Sequence, residues 1–245
     1  MNNKRVCFDL NHSTVSSERL AILQPVMIPE LHDLAVMKYV DLIILDDNAI
    51  WSRKGRVHRA KIRTPDGIQY IHIPIHSDDR KKPLHQVRID HSENWIHQIL
   101  RSLEYNYRNS IYYDFYEPEI IADFKSGSGY EYLLPFVLFL RKRLFQFLNL
   151  EFNAEFVFAS DMANFDPDPD QLSLNLNVKQ YFQEPESRHY QRQGTGKRRV
   201  ELQFKHPVYR QHFEDFEPGC CLLDLLFQYG PESYLILEKI TEQRA

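Results

Sequence analysis

Three clusters of side chains in this sequence have the types and spacing that acid–base and phosphate chemistry require. Asp46-Asp47 closes the apolar run DLIILDD, residues 41–47. Adjacent side chains at a strand end point to opposite sides, so one carboxylate can face a cleft while the other caps a turn. From Ser52 to Lys61, six basic or imidazole side chains fall within ten residues: Arg53, Lys54, Arg56, His58, Arg59 and Lys61. Alternation from Val57 sets Arg59 and Lys61 on one face, where two cations can grip a phosphate, Arg59 through a bidentate fork. A solvated, charged edge strand is the plain alternative. In Lys205-His206-Pro207-Val208-Tyr209, the proline fixes its own φ and holds the preceding residue extended, so the backbone aims the imidazole. With a free pKa near neutrality, His206 is the natural proton carrier; its rival role is a histidine bonded to a backbone carbonyl at a strand end.

Other polar positions read as structural. Asp224 sits in LLDLLF (222–227), and a carboxylate on an apolar helix needs a partner, an arginine or a helix N-terminus, if it is buried. Asn106-Tyr107-Arg108 ends a helical stretch before Tyr112-Tyr113; these rings can stack on a sugar or base, or fill the core. Of the eleven histidines, His72, His76, His85 and His91 lack the spacing of a zinc site, and no metal is expected. Neither a dinucleotide fingerprint, a phosphate loop nor a serine elbow occurs, and Gly194-Thr195-Gly196-Lys197 is too short to count as one. No cofactor can be named.

The elements that must position these groups follow from periodicity. Leu20–Leu23 reads as a strand, Gln24-Pro25 as a turn, residues 30–40 as a helix and 41–47 as a buried strand, a β-α-β opening whose natural form is a right-handed parallel crossover. Residues 57–75 alternate around Pro65-Asp66-Gly67, a hairpin by turn chemistry. One more short strand is expected at 86–90, a helix over 93–108 capped by Ser92, another from Pro118, and a long apolar helix over 130–148 despite Pro135. Residues 156–158 read as a strand, 164–199 as a long surface loop, 200–204 as a strand and 222–229 as a helix ended by Gly230-Pro231. The expected class is α/β: a β-α-β opening with a mixed central sheet, a β-hairpin and flanking helices in one domain spanning 1–245, with a polar segment at 1–18.

Bulk properties bound the function. A chain of 245 residues is long for one domain and short for two, and 43% hydrophobic residues suffice to form a core. The net charge of -4 offers no overall field to gather nucleic acid. Cys220 and Cys221 are adjacent, a poor geometry for a structural disulfide between them, and three cysteines fit a reducing compartment. The polar N-terminus lacks a secretory h-region, the longest apolar run, 132–140, is about half a membrane span, and a cytoplasmic location is expected.

Phe204-Lys205-His206-Pro207-Val208-Tyr209-Arg210-Gln211, followed by Phe216-Glu217-Pro218, Leu222 to Phe227 and Gly230-Pro231-Glu232, resembles the closing signature of the WbqC-like family. Leu23-Gln24-Pro25-Val26-Met27-Ile28-Pro29 is similar to part of its opening motif. Asp46-Asp47, Ser52, Gly55, Arg59 and Lys61-Ile62 resemble its next block, and Trp95, Ser102, Asn106-Tyr107 and Tyr112-Tyr113 its middle helix. The resemblance runs from about Ala21 to Leu237. It implies a place in glycan or surface-polysaccharide assembly, with transfer of a group to an activated sugar. Leu23 and Ile99 stand where the family's pattern has histidines, and neither can carry a proton.

Two functions are therefore expected. One is a transferase acting on a nucleotide-activated sugar or similar phosphorylated metabolite, with His206, Asp46 and Asp47 in catalysis and Gln24, Ser52, Arg59, Lys61, Asn106, Tyr107, Lys205 and Tyr209 binding substrate. The other is a binding or assembly protein that kept the fold and lost catalytic histidines. The expected partner is the phosphorylated or sugar substrate, with no nucleic acid and no membrane span.

Overall fold

The computed structural model describes residues 19–183 and 197–241. The polar segment 1–18 and the Gly194-Thr195-Gly196 stretch lie outside them. The opening unit is β1 (Arg19–Leu23), α1 (Leu31–Tyr39) and β2 (Leu42–Leu45), with β1 and β2 parallel and Leu20 opposite Leu42. Three more strands, β5 (Glu155–Phe158), β6 (Gln180–Gln183) and β7 (Arg199–Val200), complete a five-stranded sheet of order β5-β2-β1-β6-β7, parallel at every pairing. The antiparallel pair β3 (Arg59–Thr64) and β4 (Gly67–His72) stands apart as its own hairpin. The chain is thus α/β as expected, but its central sheet is parallel throughout where a mixed one was expected, because the antiparallel pairing is confined to the separate hairpin.

Near-continuous apolar strands signal a sheet covered on both faces, and alternation divides the side chains accordingly. Ala21, Leu23, Ile43, Leu45 and Phe182 join the larger core with α1. Leu20, Ile22, Leu42, Ile44, Val157 and Tyr181 join a smaller one beneath Leu172 of α5 (Pro169–Asn175). The β1-to-β2 crossover passes through α1 on one face, and the β5-to-β6 crossover returns in the opposite direction through α5 on the other. Reversing direction and face together preserves a single hand for both crossovers, in keeping with the uniform handedness of parallel connections.

On the larger face pack α2 (Trp95–Tyr107), α3 (Tyr113–Ser126), α4 (Leu133–Phe147), α6 (Leu222–Tyr229) and α7 (Tyr234–Thr241). Pro135 is third in α4, where its absent N–H has no intrahelical partner to lose. Pro118 does not begin a helix: α3 starts at Tyr113 and runs through it. Buried Tyr113 and Tyr116, whose rings meet Phe227 at 5.1 Å and Phe147 at 5.5 Å, hold that first turn in place. Ser92 is not the cap of α2; Asn94 is, because Ser92 is held in a turn by Asp90.

The stretch 164–199 is not one loop. Asp168 accepts from the Asp170 N–H and Pro169 occupies the first position of α5, so its Asp-Pro pattern is a helix start. β6 then enters the sheet beside β1, with Tyr181 and Phe182 buried. Residues 86–90 form a single helical turn ending at Gln86 and isolated bridges, Ile75 to Ile89 and Arg88 to Tyr132, instead of a strand. The strand expected at 200–204 ends at Val200.

Candidate functional site

At the carboxyl edge of the sheet, the chain leaves β2 toward the larger core and β5 toward the smaller one. Such a divergence opens a crevice where ligands of α/β proteins commonly sit. Asp47 stitches this crevice: its carboxylate accepts from the Ser160 N–H at 2.9 Å and the Ser160 hydroxyl at 2.6 Å. Its backbone carbonyl meets His85 Nδ1 at 3.0 Å. Asp46 is also buried, and its N–H donates to the Leu23 carbonyl. Gln24 is half-buried where β1 ends, and Ser52 shapes a turn, its hydroxyl accepting from the Lys54 N–H.

Arg59 and Lys61 lie on one face of β3, and their head groups diverge. The Arg59 guanidinium covers the Tyr70 ring at 4.3 Å and donates to the carbonyls of Lys54 and Gly55, a closed arrangement on the hairpin. Lys61 turns toward α1: its Nζ is 3.3 Å from Glu30 Oε1. Arg56 lies 3.6 Å from the same oxygen and grips Asp33 with both terminal guanidinium nitrogens, at 2.9 and 2.7 Å. Asp33 in turn accepts from the Glu30 N–H, fixing the first turn of α1. Burial raises the Glu30 carboxyl above its ordinary range, Arg56 opposing.

Gly219 ties this network to the C-terminal signature. A Cβ there would stand 3.4 Å from Lys61 Nζ and 3.5 Å from Glu30 Oε2, and φ is +78°, where glycine is favoured. The Gly219 N–H donates to His206 Nε2 at 3.2 Å, while His206 Nδ1 lies 3.0 Å from the Pro207 carbonyl. That pattern requires the neutral ring with its proton on Nδ1. Burial lowers the His206 pKa, in agreement. An imidazole, an ammonium and a carboxyl therefore converge on one glycine. The exposed Lys205 precedes His206.

Tyr107 and Tyr209 point inward. Their hydroxyls donate to Asp224 at 3.1 and 2.8 Å, and Gln211 Nε2 donates at 3.0 Å. Asp224, 1% exposed in the first turn of α6, thus takes two phenols and an amide as partners, where an arginine or the helix end was expected. Burial raises its pKa. Gln211 also accepts from the Glu217 N–H at 2.8 Å, so the irregular 204–219 segment is pinned onto α6. Asn106 is buried, with Nδ2 on the Ser102 carbonyl at 2.8 Å. Leu23 and Ile99 are core residues, 4% and 2% exposed.

The structure therefore brings Lys61 and His206 together, sets Asp46, Asp47 and Gln24 at the sheet edge, and holds Arg59 on the hairpin. Glu30 and Gly219 escape a sequence reading. Pro29-Glu30 looks like a helix start and Pro218-Gly219 like a turn, and nothing local marks that they meet. Cys220 and Cys221 are buried free thiols, the former pushed up to about 12 by burial and the Asp224 charge, hence unreactive. Among the described residues, no helix is long and apolar enough to cross a membrane.

A curated relative, "Uncharacterized protein Rv1507c" of Mycobacterium tuberculosis (strain ATCC 25618 / H37Rv), is 24% identical over 230 residues, covering 88% of this chain and 96% of that protein. No solved structure matches the chain. The profile of the WbqC-like protein family matches residues 24–236, a span that starts directly after β1 and holds the Lys61 network and the whole 204–224 segment, and the chain belongs to that family.

Proposed function

We propose that this protein is a transferase acting on a nucleotide-activated sugar or similar phosphorylated metabolite in glycan or surface-polysaccharide assembly, with the Gly219 cluster as its site. What carries the reading is the convergence of Lys61, Glu30 and His206 on a residue without a side chain. Lys61 supplies a mobile point charge for a phosphate, and the phosphate displaces Glu30 from it. His206, held neutral, takes a proton from an acceptor through Nε2 once the acceptor replaces the Gly219 N–H. Asp46, Asp47, Gln24 and Arg59 act in this reading by fixing the sheet edge and hairpin around the cluster.

A second reading, a binding or assembly protein without catalysis, is favoured by two observations. Both ring nitrogens of His206 are already engaged, and the positions where the family pattern sets histidines are the buried Leu23 and Ile99. Calorimetric titration with a panel of nucleotide-sugars, paired with phosphorus NMR of the same mixtures, separates the two. The transferase reading expects micromolar binding of one donor, its consumption when an acceptor is present, and affinity at least tenfold weaker in Lys61→Met, as loss of a charge-assisted contact of about 1.5–3 kcal/mol implies. Binding without turnover leaves the second reading; unchanged affinity in Lys61→Met removes the Gly219 cluster from the site.

A further inference from the structure

A separate feature lies between the C-terminal half of α4 and the edge strand β5. Leu138, Phe145, Phe152, Phe156 and Phe158 line an open-mouthed hollow of about 540 Å³, within the roughly 300–1,000 Å³ typical of small-molecule sites. Arg141 also lines it. Its side chain is 9% exposed, and Nη1 is buried without a hydrogen-bond partner. The guanidinium carbon stands 5.7 Å from the Phe156 ring, too far for a tight stack. Burial pulls its pKa down to about 10, which still leaves it charged at neutrality. The other charged groups facing the hollow are Lys142 and Glu151, both exposed, so its net charge is positive.

Asp33 attracts this cation through space but is itself gripped by Arg56, and a buried guanidinium nitrogen without an acceptor is costly, because its desolvation is not offset by a hydrogen bond. An orphaned buried nitrogen of this kind calls for an acceptor, and the open hollow beside it has room for one. The surrounding rings favour an apolar body, and the cation favours an acidic head. We propose that this hollow is a binding site for a small amphipathic carboxylate, its hydrocarbon or aryl portion lying on Phe145, Phe152 and Phe156 and its carboxylate on Arg141. No residue lining the hollow belongs to the Gly219 cluster, so the proposal stands or falls without the transferase reading.

The test uses octanoate with octan-1-ol as its neutral counterpart, each titrated calorimetrically into the full chain and into two variants. Arg141→Met keeps the length of the side chain and removes its charge. Gln146→Glu adds a negative charge at the exposed rim without touching the core. Octanoate is expected to bind one saturable site, at least tenfold more tightly than octan-1-ol. Arg141→Met should lose that preference while binding the alcohol as before. Gln146→Glu should weaken octanoate several-fold and leave the alcohol unaffected. Equal binding of acid and alcohol to the unaltered chain overturns the proposal, as does octanoate affinity unchanged in Gln146→Glu, which decides the matter even if Arg141→Met fails to fold.

Discussion

His58 shows how a single side chain can set the pH range of this fold. It belongs to the basic run 52–61, yet the structure buries it to 7% exposure, 4.9 Å from the Trp51 ring, with Nδ1 lacking a partner. Burial, with the charges of Arg59 and His72 adding to it, lowers its pKa from 6.5 to about 4. The sign follows from linkage: below 6.5 the unfolded chain takes up a proton that the folded one refuses. The stability that His58 supplies is thus complete above pH 6.5 and is lost as pH falls toward 4. The gap is worth about 3 kcal/mol at most. His206, also lowered, adds loss of the same sign in the same direction. His58→Leu keeps a similar volume and removes the titration. Urea unfolding at pH 7.5 and pH 4.5 should show the variant losing about 2–3 kcal/mol less than the parent across that interval. Parallel losses would mean that the imidazole titrates normally.

At the level of elements, α6 depends on how it ends. Gly230 follows Tyr229 with φ +49° and ψ −125°, and its N–H closes the helix on the Leu226 carbonyl. A Cβ at that position would lie 2.6 Å from two atoms of the Tyr112 ring, whose backbone N–H donates to the Phe227 carbonyl. Gly230→Ala therefore combines a disfavoured backbone with a clash, and about 2–4 kcal/mol of destabilisation is expected by chemical denaturation. A loss below 1 kcal/mol would show that Tyr112 moves aside freely. This stop was legible in the sequence, because Gly-Pro after an apolar helix is a local signal. The start of α5 was written equally plainly in Asp168-Pro169, but the repeated Asp-Pro pairs around it read as a loop. β6 was hidden for a different reason: only Tyr181 and Phe182 of its four residues are apolar, and its partner β1 lies about 160 positions earlier. The candidate site was legible to the same degree. Lys61 and His206 were recognisable from their own neighbours, whereas Glu30 and Gly219 acquire meaning only through contacts between distant segments.

For the whole molecule, the sheet order determines where cooperativity resides. β1 and β2 are the first strands made, yet β1 lies between β2 and β6, and β2 between β1 and β5. Both are covered on two faces by the two apolar clusters. Their amides can exchange only when both faces open, which approaches global unfolding. The β3–β4 hairpin stands outside that sheet, with Ile68, Gln69 and Tyr70 exposed on β4, and needs only local separation to open. Hydrogen exchange followed by mass spectrometry should therefore rank peptides over 20–23 and 42–45 as the slowest, with 67–72 faster by at least two orders of magnitude, a difference of about 3 kcal/mol in opening free energy. The same ranking bears on the proposed chemistry. The Lys61 ammonium rides on the hairpin while Glu30 and Gly219 belong to segments bonded to it through Cys221 N–H on the Lys61 carbonyl and Leu222 N–H on the Pro29 carbonyl. A ligand that bridges Lys61 and His206 should slow exchange at residues 59–64 and 219–222 together, leaving 20–23 unchanged. Slowing confined to the central strands would place the ligand at the sheet edge beside Asp46 and Asp47 instead.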